Sequence, residues 1–505
     1  MTVVACARLQ KESAVSPYFL SLQQARQRFS DLETFMLSAE TLQMPVSAVE
    51  REQERRGREV QRLLLQAHVE ARGTGDVGPV LVTKTETRTH RRRQECHVTS
   101  IFGDIRVERT GYGAEGQASV HPLDEALELP RRAPTYEVQR RVVKKALQGP
   151  FDEAIEHVEE ATGVALPKRT AEQVVKEAAE DFNAFYETRI PPPAAETGPI
   201  LVAAADGKGV PIKKDQQAER VVRRGKGEKA NKKRMATVAA VFTQQRRVRT
   251  PEEVVQSLFD PDLKIVDPAA PAARVRPEYK RVWASLIAGK EAVLAEVAAE
   301  MLRRDPLRGK EWVAVTDGER ALQQRAAAAI RGVHPTLQLI LDFLHALEYL
   351  WKAAYVFHPE KSPEAEAWVR ERALRLLRGE VSQVVKGLRQ SVTKRRLRGV
   401  KAKTLRGVAA YFYRNRLRMR YHEYLAKGWP IASGAVEGAC KNLVKDRMER
   451  SGMRWTPDMA EAVLQLRATD RSGDFDAYWA FHVSRDQERL FPKDRWHVPA
   501  AVVEK

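Results

Sequence analysis

Three aspartates stand directly after short apolar runs in this chain. Asp206 follows I-L-V-A-A-A, Asp317 follows W-V-A-V-T, and Asp342 follows T-L-Q-L-I-L. Apolar runs of this length are typical of buried β-strands. The first two aspartates precede glycine, and Asp-Gly is also a common turn signal because both residues tolerate left-handed backbone conformations. The pattern therefore fits either ordinary turns or acidic side chains gathered at the end of a sheet.

A glutamate in a later segment supplies a candidate third acid. The segment P-I-A-S-G-A-V-E-G-A-C-K-N-L-V predicts a helix with Ser433 as its N-cap and Glu437 off the buried stripe. The ordinary alternative is a surface contact between Glu437 and Lys441, one turn further along the helix. Glu423 and Glu449 are rival candidates for the third acid.

Three carboxylates in one place have a definite chemistry. Close carboxylates raise each other's pKa unless a cation neutralises them. Mg²⁺ prefers oxygen ligands and keeps waters that substrate phosphates can replace. Two such ions about 4 Å apart activate a water or hydroxyl and stabilise the leaving oxygen in phosphodiester cleavage. Asp206, Asp317 and Glu437 together therefore predict a two-metal site that acts on nucleic acid.

The composition favours the same class of partner. The 505 residues carry a formal net charge of +19, and so basic a chain attracts polyanions. No apolar run is long enough to span a membrane, and the N-terminus lacks the pattern of a secretion signal. Cys6, Cys96 and Cys440 are scattered, which argues against a disulfide framework and for a reducing compartment. We therefore expect a cytoplasmic, nucleoid-associated protein that does not enter a membrane.

The elements around these residues predict a mixed α/β chain. Alternating residues on both sides of Gly103-Asp104 predict a hairpin with a two-residue Gly-Asp loop. Two helix-like segments joined at Thr162-Gly163, the second capped by Thr170, fit either a helix-turn-helix that reads DNA or an ordinary helical hairpin. Early strands, a helix at about 277–304, a strand, a helix and a further strand then predict a mixed sheet covered by helices.

Several blocks of the sequence resemble a known family. D-G-K-G, T-D-G-E-R, L-D-F-L-H-A and P-I-A-S-G-A-V-E-G-A-C-K-N-L-V-K-D-R-M-E-R-S-G-M-R-W look like the blocks of bacterial insertion-sequence DDE transposases of the ISKra type. R-T-P-E-E-V-V-Q-S-L-F and K-R-V-W-A-S-L are also similar to that family. The resemblance covers about residues 98–480, and its most specific part is the block at 430–455.

The resemblance implies an RNase H-like catalytic domain interrupted by an all-helical insertion, with Asp206, Asp317 and Glu437 as the metal-binding triad. Asp206 would bridge two Mg²⁺ ions, for which Mn²⁺ can substitute, and the other two acids would complete one ion each. Transposases generally act as oligomers, so we expect a homo-oligomer, with self-association through the N-terminal helices. The expected ranges are a charged helical region (1–75), a β-hairpin plus helix-turn-helix-like DNA-binding region (76–190), the first part of the RNase H-like domain (195–345), the helical insertion (346–429), the closing helix with the glutamate (430–455), and a C-terminal helix and tail (456–505).

Two further residues and one departure concern the site and the N-terminal region. Asp342 and His345 match the D-x-x-H element of Mutator-like transposases that carry such an insertion, which implies supporting roles. His345 would orient a ligand or contact the cleaved strand; the alternative is a satisfied histidine at a strand-to-helix junction. Relatives often carry C-x-x-C near the N-terminal hairpin, where this chain has T-G-Y-G-A-E-G-Q. Since His90, Cys96 and His97 have no second cysteine pair at ligand spacing, zinc is not predicted.

Basic segments flank the proposed site in sequence and predict contacts to DNA phosphates. One runs through residues 219–234, and another, from Lys386 to Arg406, contains no acidic residue. Such contacts position a duplex without reading its bases and give strong salt dependence; the ordinary alternative is a solvated face. The predicted DNA-binding residues are Arg223, Arg224, Lys232, Lys233, Arg234, Lys394, Arg395, Arg396, Arg398, Arg447, Arg450 and Arg454.

These features together predict a DDE transposase that cuts double-stranded DNA at transposon ends and joins the ends to target DNA. No protein nucleophile is required. Two alternatives stay open: an RNase H-like nuclease that cuts without strand transfer, and a non-catalytic DNA-binding protein derived from a transposase. The nuclease would use the same residues, so only analysis of the products separates it from the transposase.

Overall fold

The computed structural model describes residues 16–213, 233–260 and 275–499. The chain divides into two compact units, one made of Met1–Asp181 with Ala477–Lys505 and the other of Phe182–Asp476. The strands are β1 (Leu81–Thr83), β2 (Thr87–Arg88), β3 (His90–Ser100), β4 (Gly103–Ala114), β5 (Gln117–Val120), β6 (Ile200–Pro211), β7 (Lys233–Gln244), β8 (Glu278–Ser285), β9 (Glu311–Thr316), β10 (Gln338–Leu341) and β11 (Trp496–His497). The α-helices are α1 (Pro17–Met36), α2 (Val46–Ala71), α3 (Pro122–Ala126), α4 (Tyr136–Ala146), α5 (Phe151–Thr162), α6 (Lys168–Ala178), α7 (Phe182–Thr188), α8 (Pro251–Phe259), α9 (Lys290–Arg304), α10 (Arg320–Val333), α11 (Phe343–Ala354), α12 (Pro363–Leu377), α13 (Val381–Lys394), α14 (Gly399–Asn415), α15 (Tyr421–Ala426), α16 (Gly434–Ala439), α17 (Asp446–Met448), α18 (Pro457–Ser472) and α19 (Phe475–Leu490).

The first unit begins with two long charged helices, α1 and α2, which pack against each other. Opposite charges pair along the helix surface, as between Arg62 and Glu59 at 2.7 Å. Leu63 and Ala67 of α2 are buried, so one face of this charged helix serves the core, as in an amphipathic helix. The helical character predicted for this region is confirmed for the described residues, and its self-association stays a prediction.

A hairpin of β3 and β4 follows, and its turn differs from the predicted one. Ser100 pairs with Gly103, so Ile101 and Phe102 form the turn and Gly103 already belongs to β4. The Ser100 hydroxyl accepts a hydrogen bond from the Phe102 N–H and donates one to the Gly103 carbonyl, which closes the turn. The hairpin is therefore confirmed and the Gly-Asp loop is wrong. The glycine is needed because its φ is +122°.

The region predicted as a helix-turn-helix contains α4, α5 and α6, with α4 packed on the other two. Helix α5 ends at Gly163, whose φ of +70° is the left-handed conformation that glycine provides at a helix end. Helix α6 begins at Lys168 after Pro167, so the predicted cap at Thr170 is wrong. Pro167 starts this helix because its φ is already helical and its carbonyl accepts the Thr170 N–H. That this region reads DNA stays a prediction.

Asp181 lies in a buried ionic cluster of the first unit. Its two carboxylate oxygens accept hydrogen bonds from Arg489 at 2.7 Å and from His482 at 2.7 Å. Burial raises the pKa of Asp181, but the hydrogen bonds from His482 and Arg489 outweigh it and hold the pKa at about 2. Because this is below the ordinary value of 3.8, the charged form of Asp181 stabilises the folded unit above about pH 4.

We expect Asp181→Asn to destabilise the first unit by about 2 kcal/mol at pH 7. The loss shrinks as the pH falls from about 4 towards 2, because wild-type Asp181 then becomes protonated in the folded state as well. Amide hydrogen exchange of α19, compared between variant and wild type at each pH, measures both effects. Asp152→Asn is the control, since Asp152 forms an exposed pair with Lys168, which contributes little to stability. An equal loss for Asp181→Asn at pH 7 and pH 2.5 contradicts the prediction.

The second unit is built on a five-stranded sheet in the order β10-β9-β6-β7-β8. Strand β7 is antiparallel to both of its neighbours, whereas β6, β9 and β10 are parallel. The predicted strands before the three aspartates are confirmed, and β9 and β10 end directly before their aspartates as expected, but β6 continues past Asp206 to Pro211 because it stays paired with β7. Residues 278–285 were predicted as part of a helix and form β8 instead, because pairing with β7 outweighs their local preference. The described chain is therefore mixed α/β, as predicted.

Helices cover both faces of this sheet. Val202, Val315 and Ile340 belong to a large core with residues of α11 to α15. Ala205 lies on the opposite face and packs with Leu294 of α9 and with residues of α10. This division follows from the alternation of side chains along each strand. The large core fixes α11 and α14 above the ends of β9 and β10.

The segment between β10 and α16 consists of the five helices α11 to α15. Leu350 and Ala354 of the apolar stripe predicted for α11 are buried, and Leu347 and Trp351 are partly buried against the same core. No helix within the described ranges is long and apolar enough to cross a membrane.

A candidate acidic site at one edge of the sheet

The three aspartates predicted from the sequence lie in one row at the edge of the sheet. In the parallel ladder, the residue before Asp206 pairs with the residue before Asp317, which pairs with the residue before Asp342. Neighbouring strands lie about 4.8 Å apart. The pairing of β9 with β10 continues to Asp342, because the Asp342 N–H donates to the Thr316 carbonyl at 2.8 Å. The folding of three separate apolar runs into parallel strands therefore brings three acidic residues together.

Asp317 begins a tight turn that is held from two sides. Its carboxylate accepts a hydrogen bond from the Glu319 N–H at 2.8 Å, and its carbonyl accepts one from the Tyr411 hydroxyl at 2.7 Å. Gly318 has a φ of +91°, and a Cβ there would lie 2.7 Å from the Tyr411 Oη, so the turn requires glycine. Burial raises the pKa of Asp317, and the charge of Asp206 raises it further.

Asp206 is joined to the helix that carries Glu437. One carboxylate oxygen of Asp206 accepts a hydrogen bond from the Gly207 N–H at 2.6 Å. The other lies 3.3 Å from the Cys440 Sγ, which donates to it. Burial raises the pKa of the Cys440 thiol, and the charge of Asp206 adds to the effect, so the thiol keeps the proton that it donates. Sequence reasoning missed this contact, although it placed Cys440 on the same helix as Glu437, one turn further along.

Asp342 is a completely buried anchor. One of its carboxylate oxygens accepts a hydrogen bond from the Leu344 N–H at 2.7 Å and so caps α11. The other accepts from the Ser433 N–H at 2.8 Å and from the Ser433 hydroxyl. Ser433 precedes α16 as predicted, but its hydroxyl binds Asp342 instead of capping the helix. Asp342 thereby fixes the start of the helix that carries Glu437.

Asp342, His345 and Glu437 form a cluster of possible metal ligands. One ligand atom of each lies within 4.8 Å of those of the other two. The Nδ1 atom of His345 is buried and has no hydrogen-bond partner among the described residues, so His345 is not a satisfied histidine at that atom. Burial raises the pKa of Glu437, and the charges of Asp342 and Asp206 also raise it. Asp206 and Asp317 border this cluster without being part of it.

The residues present fit a divalent cation. Burial and the charge of Asp206 both disfavour the charged forms of Asp317 and Glu437, and a bound cation relieves that repulsion. Carboxylate oxygens are the ligands that Mg²⁺ and Mn²⁺ prefer. Asp342 has little capacity left, since its two oxygens already accept three hydrogen bonds. Asp206, Asp317 and Glu437 are therefore the more available oxygen donors.

The rival acids are engaged elsewhere. Glu449 accepts a hydrogen bond from the Lys233 Nζ at 2.5 Å, and Glu423 pairs with Arg420 at 3.2 Å. A π-helical segment, Cys440–Lys445, separates α16 from α17, and such segments occur frequently at functional sites. Glu437 lies before it, next to the aspartates. Glu437 forms no ion pair with Lys441 among the described residues, so the simple surface contact is not observed.

The predicted DNA-binding residues have different surroundings. Arg223, Arg224 and Lys232 lie outside the described residues. Arg447 is completely buried, with its guanidinium 4.6 Å from the Trp455 ring centroid. It therefore has no surface open to DNA, and the sequence-based assignment of Arg447 is corrected on this ground. The remaining predicted residues on exposed surfaces are Arg234, Lys394, Arg395, Arg396, Arg398, Arg450 and Arg454, and Lys233 is exposed but paired with Glu449.

Comparison with known proteins does not show which family this chain belongs to. No protein-family model matches the chain, and no curated protein matches it. Among solved structures, a chain of the Drosophila P element transposase strand transfer complex is 10% identical, over 72% of this chain and 83% of that chain, with a TM-score of 0.26. A TM-score this low does not establish a shared fold. The resemblance to ISKra-type transposases therefore rests on the sequence blocks alone.

Proposed function

We propose that this protein is a DDE transposase, which cuts DNA at transposon ends and joins those ends to target DNA. The observation that carries the proposal is the row of Asp206, Asp317 and Asp342 on or directly after three parallel strands, with Glu437 in the electrostatic field of Asp342 and Asp206. An acidic site of this kind on a chain with a formal net charge of +19 suits a polyanionic substrate. The ISKra-like sequence blocks support the same assignment.

The proposed catalytic domain is RNase H-like. The order of the five strands supports this, because three antiparallel strands are followed by two strands parallel to the first, as in that fold. The helices α11 to α15, between β10 and the helix of Glu437, would be the insertion. The chain's N-terminal helices would mediate a homo-oligomer that holds two DNA ends.

The acidic residues have two kinds of role in the proposed mechanism: three would bind metal ions, and one has a positioning role. Asp206, Asp317 and Glu437 would hold two Mg²⁺ ions, or Mn²⁺ in their place. When bound, such ions supply activation of a water or hydroxyl and stabilisation of the leaving oxygen. Asp342 positions the segment of Glu437 through Ser433, and Cys440 orients the Asp206 carboxylate.

The chemistry consists of two transfers at phosphorus. In the first, a water oxygen bonds to the phosphorus at the transposon end and the bond to the 3′-oxygen breaks, which leaves a 3′-hydroxyl and a 5′-phosphate. In the second, that 3′-hydroxyl attacks a target phosphodiester and displaces a target 3′-oxygen. The protein forms no covalent bond with the DNA. Its side chains hold the reacting groups in place and keep them near the acidic site.

The decisive test is cleavage of a supercoiled plasmid that carries the coding sequence with its flanking DNA. We expect nicking at the element ends with Mg²⁺ or Mn²⁺, and a loss of about 10²-fold or more in Asp317→Asn. Asp458→Asn is the control, because Asp458 is exposed at the start of α18. Joined products identify a transposase, whereas cleavage without joining identifies a nuclease. DNA binding without cleavage of end-bearing DNA by the wild type identifies a non-catalytic DNA-binding protein.

A further inference from the structure

The C-terminal end of α14 and the 3₁₀ turn after it, Arg416–Arg418, gather exposed basic and aromatic side chains. The Tyr413 side chain is 48% exposed. The guanidinium of Arg416 lies 4.3 Å from its ring centroid, and that of Arg389, from α13, lies 5.2 Å away. An exposed aromatic ring is thus flanked by two cations.

The arginines around this ring form no ion pair with a carboxylate among the described residues. The described hydrogen bonds of Arg416 and Arg418 go to uncharged acceptors, the Tyr413 carbonyl and the Asn415 side chain. Burial lowers the pKa of Arg418, and the positive charges of Arg331 and Arg414 lower it further. Like charges held together in this way repel one another unless an anion is bound.

Two other arginines of the same unit, by comparison, are neutralised by glutamates. Arg420 pairs with Glu423 at 3.2 Å, and Arg378 pairs with Glu252 at 2.7 Å. By contrast, Arg331, Arg414 and Arg418 form no ion pair with a carboxylate in the part of the chain that the structure describes. The end of α14 and its neighbour α10 therefore carry three positive charges that no described carboxylate neutralises.

This surface is fixed close to the acidic site. The Tyr411 hydroxyl binds the Asp317 carbonyl at 2.7 Å, and its ring stacks on Tyr349 with centroids 3.8 Å apart. Arg414 is three residues further along α14, so it lies on the same side of the helix as Tyr411, with its guanidinium 5.7 Å from the Tyr411 ring centroid. Arg418 lies seven positions after Tyr411, which corresponds to a rise along the helix axis of about 10 Å at 1.5 Å per residue. A DNA strand crossing this end of α14 would therefore pass within a few nucleotides of Asp317.

We propose that Arg331, Arg389, Tyr413, Arg414, Arg416 and Arg418, together called the α14 surface, bind an unpaired DNA strand beside the phosphodiester that is cut. Tyr413 stacks on an unpaired base of this strand, and the arginines contact the phosphates of the strand. The ring favours an unpaired strand because stacking needs an open base face, whereas a duplex offers mainly phosphates to a cationic surface. This inference rests on the proposed function, since it assigns a DNA strand to the same site.

The test measures the affinity of the full chain for fluorescent DNA by anisotropy, without divalent metal. One probe is a blunt duplex, and the other is the same duplex with a single-stranded fork. We expect wild type to prefer the fork, and Tyr413→Ala to lower the affinity for the fork about 5- to 100-fold while changing the affinity for the blunt duplex less than about twofold. Tyr413→Phe keeps the preference, because the phenyl ring still stacks.

Substitution of the arginines is expected to change the salt dependence of DNA binding. The double variant Arg414→Gln/Arg418→Gln reduces the slope of log affinity against log salt by about 1.4 to 1.8, since each of the two phosphate contacts contributes about 0.7 to 0.9. Lys361→Gln is the matched control: Lys361 is exposed in the loop before α12 and lies outside the α14 surface. It should leave both affinities and the salt slope unchanged.

The outcomes separate this inference from the proposed activity. Fork binding that depends on Tyr413, in a protein that does not cleave, supports the α14 surface and contradicts the transposase. Cleavage by wild type, with fork binding unchanged in Tyr413→Ala, overturns the α14 surface alone. A Tyr413-dependent preference for an RNA strand over the DNA strand of the same sequence also overturns it.

Discussion

Glu437→Gln is expected to lower metal-dependent cleavage of end-bearing DNA by about 10²–10³-fold, with DNA affinity unchanged. The substitution keeps the shape of the side chain and removes its negative charge. Glu437 lies in the field of Asp342 and Asp206, beside His345, so it is placed to share a cation with the aspartate row. Single-turnover cleavage with Mg²⁺, alongside anisotropy for binding, measures the two quantities separately.

The rival glutamates provide matched controls for this prediction. Glu449→Gln and Glu423→Gln remove the same charge from positions that pair with Lys233 and Arg420. We expect both variants to cleave within about threefold of wild type, since exposed ion pairs contribute little. A large loss in Glu449→Gln with normal activity in Glu437→Gln would identify Glu449 as the third acid and contradict the proposed site.

Much of the sheet was predictable because its signal is local. The apolar runs before Asp206, Asp317 and Asp342 are short, bounded and rich in β-branched or small residues, and each forms a strand. Strand β8 was not predictable from its own residues, since its pairing partner β7 lies about 40 positions earlier in the chain. The hairpin of β3 and β4 was expected in the right place, but its turn depends on side-chain bonds of Ser100 that composition does not reveal.

The site shows the same division between local and long-range information. The candidate acids could be named because each aspartate follows an apolar run and Glu437 lies at a helix start. The contacts that hold them could not, because Tyr411 reaches the Asp317 carbonyl across 94 positions and Cys440 reaches Asp206 across 234. The complete burial of Asp342 could not be predicted either, since it depends on the contact with Ser433, which lies 91 positions further along the chain.

The largest expected effect on stability comes from a buried ionic cluster behind the sheet. Arg281 of β8 is completely buried, with its guanidinium 3.7 Å from the Tyr186 ring centroid, and it donates to Glu300 at 2.9 Å and to Glu296. Burial raises the pKa of Glu300, but the charges of Arg281 and Arg304 outweigh it and hold the pKa at about 2. Glu300 therefore stays charged at neutral pH and compensates two buried arginines.

Glu300→Gln should destabilise the second unit by about 3–5 kcal/mol, because it leaves Arg281 and Arg304 buried without their common counter-charge. Urea unfolding followed by tryptophan fluorescence measures the loss; Trp283 lies 4.4 Å from the Arg281 guanidinium and reports on this region. Adding Arg281→Met removes one of the two buried arginines that lose Glu300 as a partner, so the double variant should lose less than the sum of the single variants.

The control is Glu319→Gln, since Glu319 pairs with Lys290 at the surface and its loss should cost less than about 1 kcal/mol. The pH dependence provides a second check. Because the folded pKa of Glu300 lies below its ordinary value of 4.5, the stabilisation is fully present above about pH 5 and is lost as the pH falls towards 2. The difference between wild type and Glu300→Gln must therefore shrink over that range, and a difference that stays constant down to pH 2.5 would mean that the charge of Glu300 does not stabilise the fold.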